Sequence, residues 1–214
     1  MKRLSLLCLS LLLAALAPAA ETDPFAAPAN RIAPGDPAWQ DLVASFARRP
    51  DATADFSEQR FFPFKKTPVE LKGESRVSAR HGLSLHYTAP EERTVILDNQ
   101  GVLIRDARGE TAAPADPRAA AANAALVQVL RFDLPALAEA FELFGQRDGT
   151  AWKLAFVPRA AELRRAVGQI LVAGNSDAVN RIEIRRSAKQ FVAILIGPPR
   201  PAPFTADELK RFFR

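Results

Sequence analysis

After Leu16 the sequence has no apolar run approaching the roughly 20 residues that a bilayer-crossing helix needs, and its one cysteine is Cys8. The rest of the chain therefore has no disulfide framework and no thiolate chemistry, and its stability must come from packing. Histidine is scarce too: His81 and His86 are the only two. His81 is expected in a turn and His86 on the polar side of a strand, so neither is placed to act as a base or a metal ligand. The sequence holds no Gly-x-Ser-x-Gly elbow, no His-Glu-x-x-His pair and no glycine-rich phosphate loop. Glu91 and Glu92 are adjacent, and neighbouring side chains in a strand do not converge as an acid pair. These absences argue against an enzyme, a resident metal and a cofactor. A formal charge of +5 reads as a solvated, arginine-rich surface, or alternatively as one that favours anionic lipid headgroups or an acidic partner, with no nucleic-acid partner expected.

What is present begins with a leader. Lys2 and Arg3 precede an apolar run from Leu4 to Leu16, and Ala17-Pro18-Ala19 supplies the small residues of a signal-peptidase site. The layout predicts a secretory signal over residues 1–19, cleaved after Ala19. Cys8 follows Leu6 and Leu7 instead of a small residue, so it is not a lipidation site and is expected to leave with the leader. The product would be exported to the periplasm without an anchor.

Residues 20–37 carry several prolines and no periodicity, and are expected to form a flexible, extended lead-in. A single domain is expected over residues 38–214. Trp39, Leu42, Val43 and Phe46 recur at helical spacing behind a possible cap at Asp36, and Pro50 ends that helix. Strands follow. From Val69 to Ala79 the odd positions are small or apolar and the even positions mostly charged, the clearest alternation in the chain. Leu83, Leu85 and Tyr87 continue it against Ser84 and His86. Asp98-Asn99-Gln100-Gly101 has hairpin-turn composition between Thr94–Leu97 and Val102–Arg105.

The period then changes. Pro117–Arg131 places Leu126, Val127 and Leu130 on one helical face, and Asp133 caps a second helix with Leu134, Leu137, Ala138 and Phe141 as its stripe. Strands resume after Gly145, over Ala151–Val157, Val167–Ala173, Val179–Arg185 and Gln190–Ile196. Thr205 and Glu208 form a capping box for a last short helix. This order predicts an α+β fold with a curved antiparallel sheet of eight or more strands, since accumulated twist makes so wide a sheet curl. Short helices would cover its apolar face and leave either a filled core or an apolar lipid site.

Phe56-Ser57-Glu58-Gln59, the strand ending Gly73-Glu74-Ser75-Arg76-Val77, Leu85-His86-Tyr87-Thr88-Ala89-Pro90 and Val95-Ile96-Leu97-Asp98 together resemble LolA-type outer-membrane lipoprotein carriers. The second half, from Leu134-Pro135-Ala136-Leu137 to Ala151-Trp152-Lys153-Leu154-Ala155-Phe156-Val157-Pro158, is similar to a LolA-related branch associated with aryl-polyene and similar lipid pathways. The resemblance implies an unclosed half β-barrel whose helices form a lid over an acyl-chain cavity. It further implies a monomeric periplasmic shuttle for lipidated protein or lipid cargo, with an inner-membrane donor, an outer-membrane acceptor and only transient membrane contact. The alternative is a lipid- or lipoprotein-sensing interaction domain without transport. On this reading Val69, Leu71, Val77, Leu83, Leu85 and Tyr87 line the cavity, with Leu137 and Phe141 from the lid, and the Tyr87 phenol awaits a partner that a headgroup would supply. One position departs from the family. Ala79 stands where many carriers have a lid-latching arginine, and strand alternation would turn Arg80 to the opposite face.

Overall fold

The computed structural model describes residues 24–112 and 117–214; the expected signal and its cleavage point lie outside the described residues. Asp36 accepts a hydrogen bond from the Ala38 amide at 3.0 Å and starts α1 (Pro37–Ala47), with Pro37 at the first helical position, where its missing N–H costs nothing. The alternating segments that follow become β1 (Ala52–Phe61), β2 (Val69–Ser78), β3 (Gly82–Ala89), β4 (Arg93–Asp98), β5 (Gly101–Asp106) and β6 (Gly109–Ala112). The helical insertion is α2 (Pro117–Leu130) and α3 (Leu134–Ala140), the second capped by Asp133. A second run of strands follows: β7 (Phe141–Asp148), β8 (Ala151–Pro158), β9 (Gln169–Asn175), β10 (Ala178–Ser187) and β11 (Gln190–Ile196). Helix α4 (Ala161–Val167) separates β8 from β9. The two-residue β12 (Arg200–Pro201) and α5 (Ala206–Phe212) end the described chain, α5 opening with the Thr205–Glu208 capping box.

Each run is a meander of neighbouring antiparallel strands. The meanders join where β1 pairs β11, giving the order β6-β5-β4-β3-β2-β1-β11-β10-β9-β8-β7. The sheet ends at β6 on one side and β7 on the other without closing, so the architecture is an unclosed half-barrel of the α+β class. Its concave face holds the main core, including Leu71, Leu85, Phe156, Ile170, Ile182 and Ile194, against Trp39 and Leu42 of α1, Val129 of α2, and Leu134 and Leu137 of α3. Among the described residues no helix is long and apolar enough to cross a membrane.

Three differences from the expected elements have physical causes. First, Phe141 is not on the second helix but opens β7. Period-2 alternation is hidden there because both faces of β7 are covered: Phe141 and Leu143 lie in the main core, while Phe144 joins a small convex-face cluster with Phe25, Ala155 and Leu171. Second, the segment before α1 is not simply extended. Pro24–Ala26 and Pro28–Asn30 form 3-10 turns, Phe25 is buried, and the Ile32 amide donates to the Leu143 carbonyl at 3.1 Å, covering part of the β7 edge, which an unpaired strand would otherwise leave open to association. Third, the polar side of β2 and β3 is not uniformly solvated. Helix α5 returns across it, so Arg76 lies 3.5 Å from the centroid of the Phe212 ring, and His86 packs edge-on against that ring at 5.2 Å. His86 is thus partly buried; burial, followed by the Arg76 charge, lowers its pKa from the ordinary value.

Gly145, read from sequence only as a break, fixes where α1 sits. A Cβ there would lie 2.3 Å from Cζ2 of the buried Trp39 indole, so the indole packs directly on the β7 backbone. Gly145→Ala should displace α1 and destabilise the protein by about 1–3 kcal/mol, the usual cost of overpacking. Urea unfolding followed by tryptophan fluorescence measures this, and the change should exceed that of an alanine substitution at Gly35, which has nothing within 4 Å of a built Cβ.

Candidate functional site

The concave face is filled unevenly. At the end where β8 leads into β9, α4 plugs the half-barrel and buries Val167 completely. At the opposite end, between α1, the C-terminal turn of α2 and the sheet, a cleft of about 880 Å³ remains. Its walls are largely apolar: Val43 and Phe46 from α1, Val127 and Leu130 from α2, and Val77, Leu83, Leu97, Val179, Ile182 and Ile196 from both meanders. Val77 is 45 % exposed although it sits on the concave wall. That volume falls within the range of small-molecule and lipid pockets.

Charged groups collect at the mouth. Arg214 pairs with Asp98 at 3.0 Å, and Arg49 Nε lies 3.4 Å from Asp177 while its guanidinium stacks 4.4 Å above the Phe46 ring. Burial outweighs the Asp177 attraction and lowers the Arg49 pKa. Arg131, just after α2, donates to the Asn99 side chain at 3.0 Å and so ties the end of α2 to the β4–β5 turn. Arg80 is exposed at the rim and, among the described residues, its guanidinium has no side-chain or backbone acceptor. The alternation argument that turned Arg80 away does not apply, because β2 ends at Ser78 and Arg80 stands in the turn beyond it.

The structure brings the eight sequence-derived cavity residues to the concave side but not to one surface. Val77 and Leu83 line the cleft. Leu71, Leu85, Tyr87, Leu137 and Phe141 are buried in the packed core, and Val69 is packed against it. Tyr87 does not await a headgroup: its hydroxyl donates to Glu58 Oε2 at 2.5 Å, and Arg60 Nε donates to the other carboxylate oxygen at 2.5 Å. Glu58 is 3 % exposed. The Tyr87 ring meets Phe56 edge-on at 5.0 Å and carries the Arg93 guanidinium 4.7 Å above it. Burial, reinforced by the Glu58 charge, raises the phenol pKa well above its usual range, so it stays a donor. This is an internal polar tie, and partners on strands 29 residues apart left no signal in the sequence. The cleft residues missed at Val43, Phe46, Val127 and Leu130 did have one, because they lie on the apolar stripes of the two predicted helices.

Residues 34–203 match the family model described as outer membrane lipoprotein carrier protein LolA-like. Solved structures that the chain partly resembles include a DUF1329 family protein from Desulfovibrio piger, at 10 % identity and a TM-score of 0.48 over 80 % of this chain and 95 % of that one. A LolA superfamily protein from Nitrosomonas europaea gives 5 % identity and a TM-score of 0.40 over 79 % and 96 %. An outer membrane lipoprotein-sorting protein domain from Vibrio parahaemolyticus gives 6 % and 0.39 over 81 % and 95 %. No curated protein matches the chain significantly.

Tyr87→Phe keeps the ring packing and removes one donor to a buried carboxylate, so it should cost about 1–3 kcal/mol. The comparison of wild-type and variant urea midpoints reads this out.

Proposed function

The chain belongs to the LolA-like outer membrane lipoprotein carrier family, and from that membership and the apolar cleft we propose a periplasmic carrier that binds acyl chains. Its cargo is a lipoprotein or another lipid, taken up at the inner membrane and shuttled toward an outer-membrane acceptor. The observation that carries the reading is that apolar walls on both meanders and two helices face a space that protein does not fill, with Val77 left exposed inside it.

The energetics suit a carrier. Each buried methylene contributes about 0.8 kcal/mol, so about ten contribute roughly 8 kcal/mol gross. The translational and rotational cost of association offsets much of that, and the net affinity is moderate enough for cargo to be passed on. Arg80, charged and at the rim with no acceptor among the described residues, would meet an anionic or carbonyl-bearing headgroup. The lid opens by parting Arg131 from Asn99 and sliding α2 away from Val77 and Leu83. The work is binding and release, with no covalent step.

Val77→Glu puts a charge on the apolar wall at a position already exposed, so the fold should keep its melting temperature. Affinity for a fluorescent fatty acid should fall by about tenfold or more, since a buried unpaired charge is strongly disfavoured. Titration of wild type and variant decides it. Unchanged affinity in the variant would place the ligand elsewhere, and no uptake by wild type would remove the carrier reading.

A further inference from the structure

The exposed large hydrophobics among the described residues are Val77, which lies in the cleft, and Phe64, which does not. Phe64 is 80 % exposed at the tip of the β1–β2 connection, Phe62-Pro63-Phe64-Lys65-Lys66. The tip is turned back by the Lys65 amide donating to the Phe62 carbonyl at 3.1 Å, and the Phe62 and Phe64 rings lie 5.5 Å apart. Beneath it Phe61 of β1 stacks on Phe191 of β11 at 4.1 Å, and the Arg185 guanidinium sits 4.7 Å over Phe191.

Basic residues predominate around this aromatic tip, although the exposed Glu70 of β2 beside it accepts from the Gln59 side chain at 3.3 Å. Lys65 and Lys66 belong to it. Register places Phe61 opposite Phe191 and Phe191 opposite Arg185, so the end of β10 with Arg186 and the following turn with Lys189 lie alongside. Gln190, the first residue of β11, forms one wall of a hollow of about 420 Å³ whose other residues include Arg164, Arg165 and Arg186. Arg164 is engaged by the Pro158 carbonyl at 2.9 Å. Acidic residues at this end include Glu91 and Glu92 in the β3–β4 turn; Glu92 faces His86 and Arg211, each at 3.7 Å.

We propose that this end of the half-barrel docks on an anionic lipid bilayer, with Phe64 entering the interface and Lys65, Lys66, Arg165, Arg186 and Lys189 meeting the headgroup phosphates. Aromatic rings favour the membrane interface, and each basic residue near an anionic surface strengthens attachment. Charge complementarity together with a fully presented phenylalanine selects a bilayer over a solvated face. The orientation follows from β1. Its ten residues run from Ala52, at the cleft mouth, to Phe61, beneath the tip, a span of roughly 30 Å. The cleft therefore opens away from the docked membrane, free to face a partner. This inference does not depend on the cargo.

The test uses the exported, signal-cleaved protein and vesicles of equal parts phosphatidylethanolamine and phosphatidylglycerol, compared with vesicles of phosphatidylcholine alone. Wild type should float with the anionic vesicles only. Phe64→Ser should lower the partition coefficient by about tenfold, and the double substitution Lys65→Ser with Lys66→Ser by about thirtyfold. Both changes are at exposed positions, and circular dichroism and melting temperature should match wild type. An environment-sensitive dye on Phe64→Cys should brighten with anionic vesicles, whereas the dye on Ala79→Cys should not; Cys8, the one other cysteine of the sequence, is removed with the signal and does not compete. Failure of wild type to float, equal flotation of the variants, or brightening at position 79 would overturn the proposal. None of these outcomes bears on fatty-acid uptake by the cleft.

Discussion

Residues Phe56 to Phe61 of β1 lie opposite Ile196 to Phe191 of β11, and this ladder converts two sequence-local meanders into one surface. Every other strand pair joins neighbours along the chain or a two-residue extension. Without the β1–β11 pair each meander would present a separate narrow apolar face. With it, Val77 and Leu83 from one half and Val179 and Ile182 from the other face the same cleft. Twist accumulated over so many antiparallel strands makes the shared face concave, and the outer edges of β6 and β7 do not meet, so it stays open.

A concave apolar face must be covered, and the helices available are too short to cover all of it. The longest described helix is α2, at 14 residues. Helix α1 is pinned by the Trp39 indole against Gly145, and Phe46 meets Phe132 at 4.6 Å and Trp152 at 5.5 Å. Helix α4 seals one end, and the other stays open between α1 and α2. The polar groups divide the same way. The buried Glu58 carboxylate takes the Tyr87 phenol and the partly exposed Arg60 guanidinium, whereas Arg49, Arg80, Arg131 and Arg214 gather where the cleft meets solvent. Interior polar ties hold the scaffold rigid, and the Arg131–Asn99 tie at the rim, an exposed hydrogen bond of the kind worth little individually, is weak enough to part.

Much of this was legible in the sequence because it is local. The alternation from Val69 to Ala79, the Asp36 and Asp133 caps and the Thr205–Glu208 box each became the element they predicted. Legibility failed where a distant segment covers a local pattern. Phe144 of β7 looks out of register until Phe25 is seen on the convex side. Arg76 and His86 look solvated until α5 is seen lying over them. The site was only partly legible for the same reason: Leu71, Leu85 and Val77 share one alternating pattern, yet only Val77 is left uncovered by the helices. The difference between core and cavity lies in where the lid stops, which no strand records. Arg80 was misjudged because a strand rule was carried two residues past the strand end.

The central claim is that the unfilled part of the concave face is a lipid site. Organic extraction of the protein purified from its native cells, followed by mass spectrometry of the bound material, tests this most directly. The account predicts an acyl-bearing species recovered in near-stoichiometric amount from wild type and depleted in Val77→Glu. Wild-type protein that is folded, exported and free of any acyl-bearing lipid would contradict it.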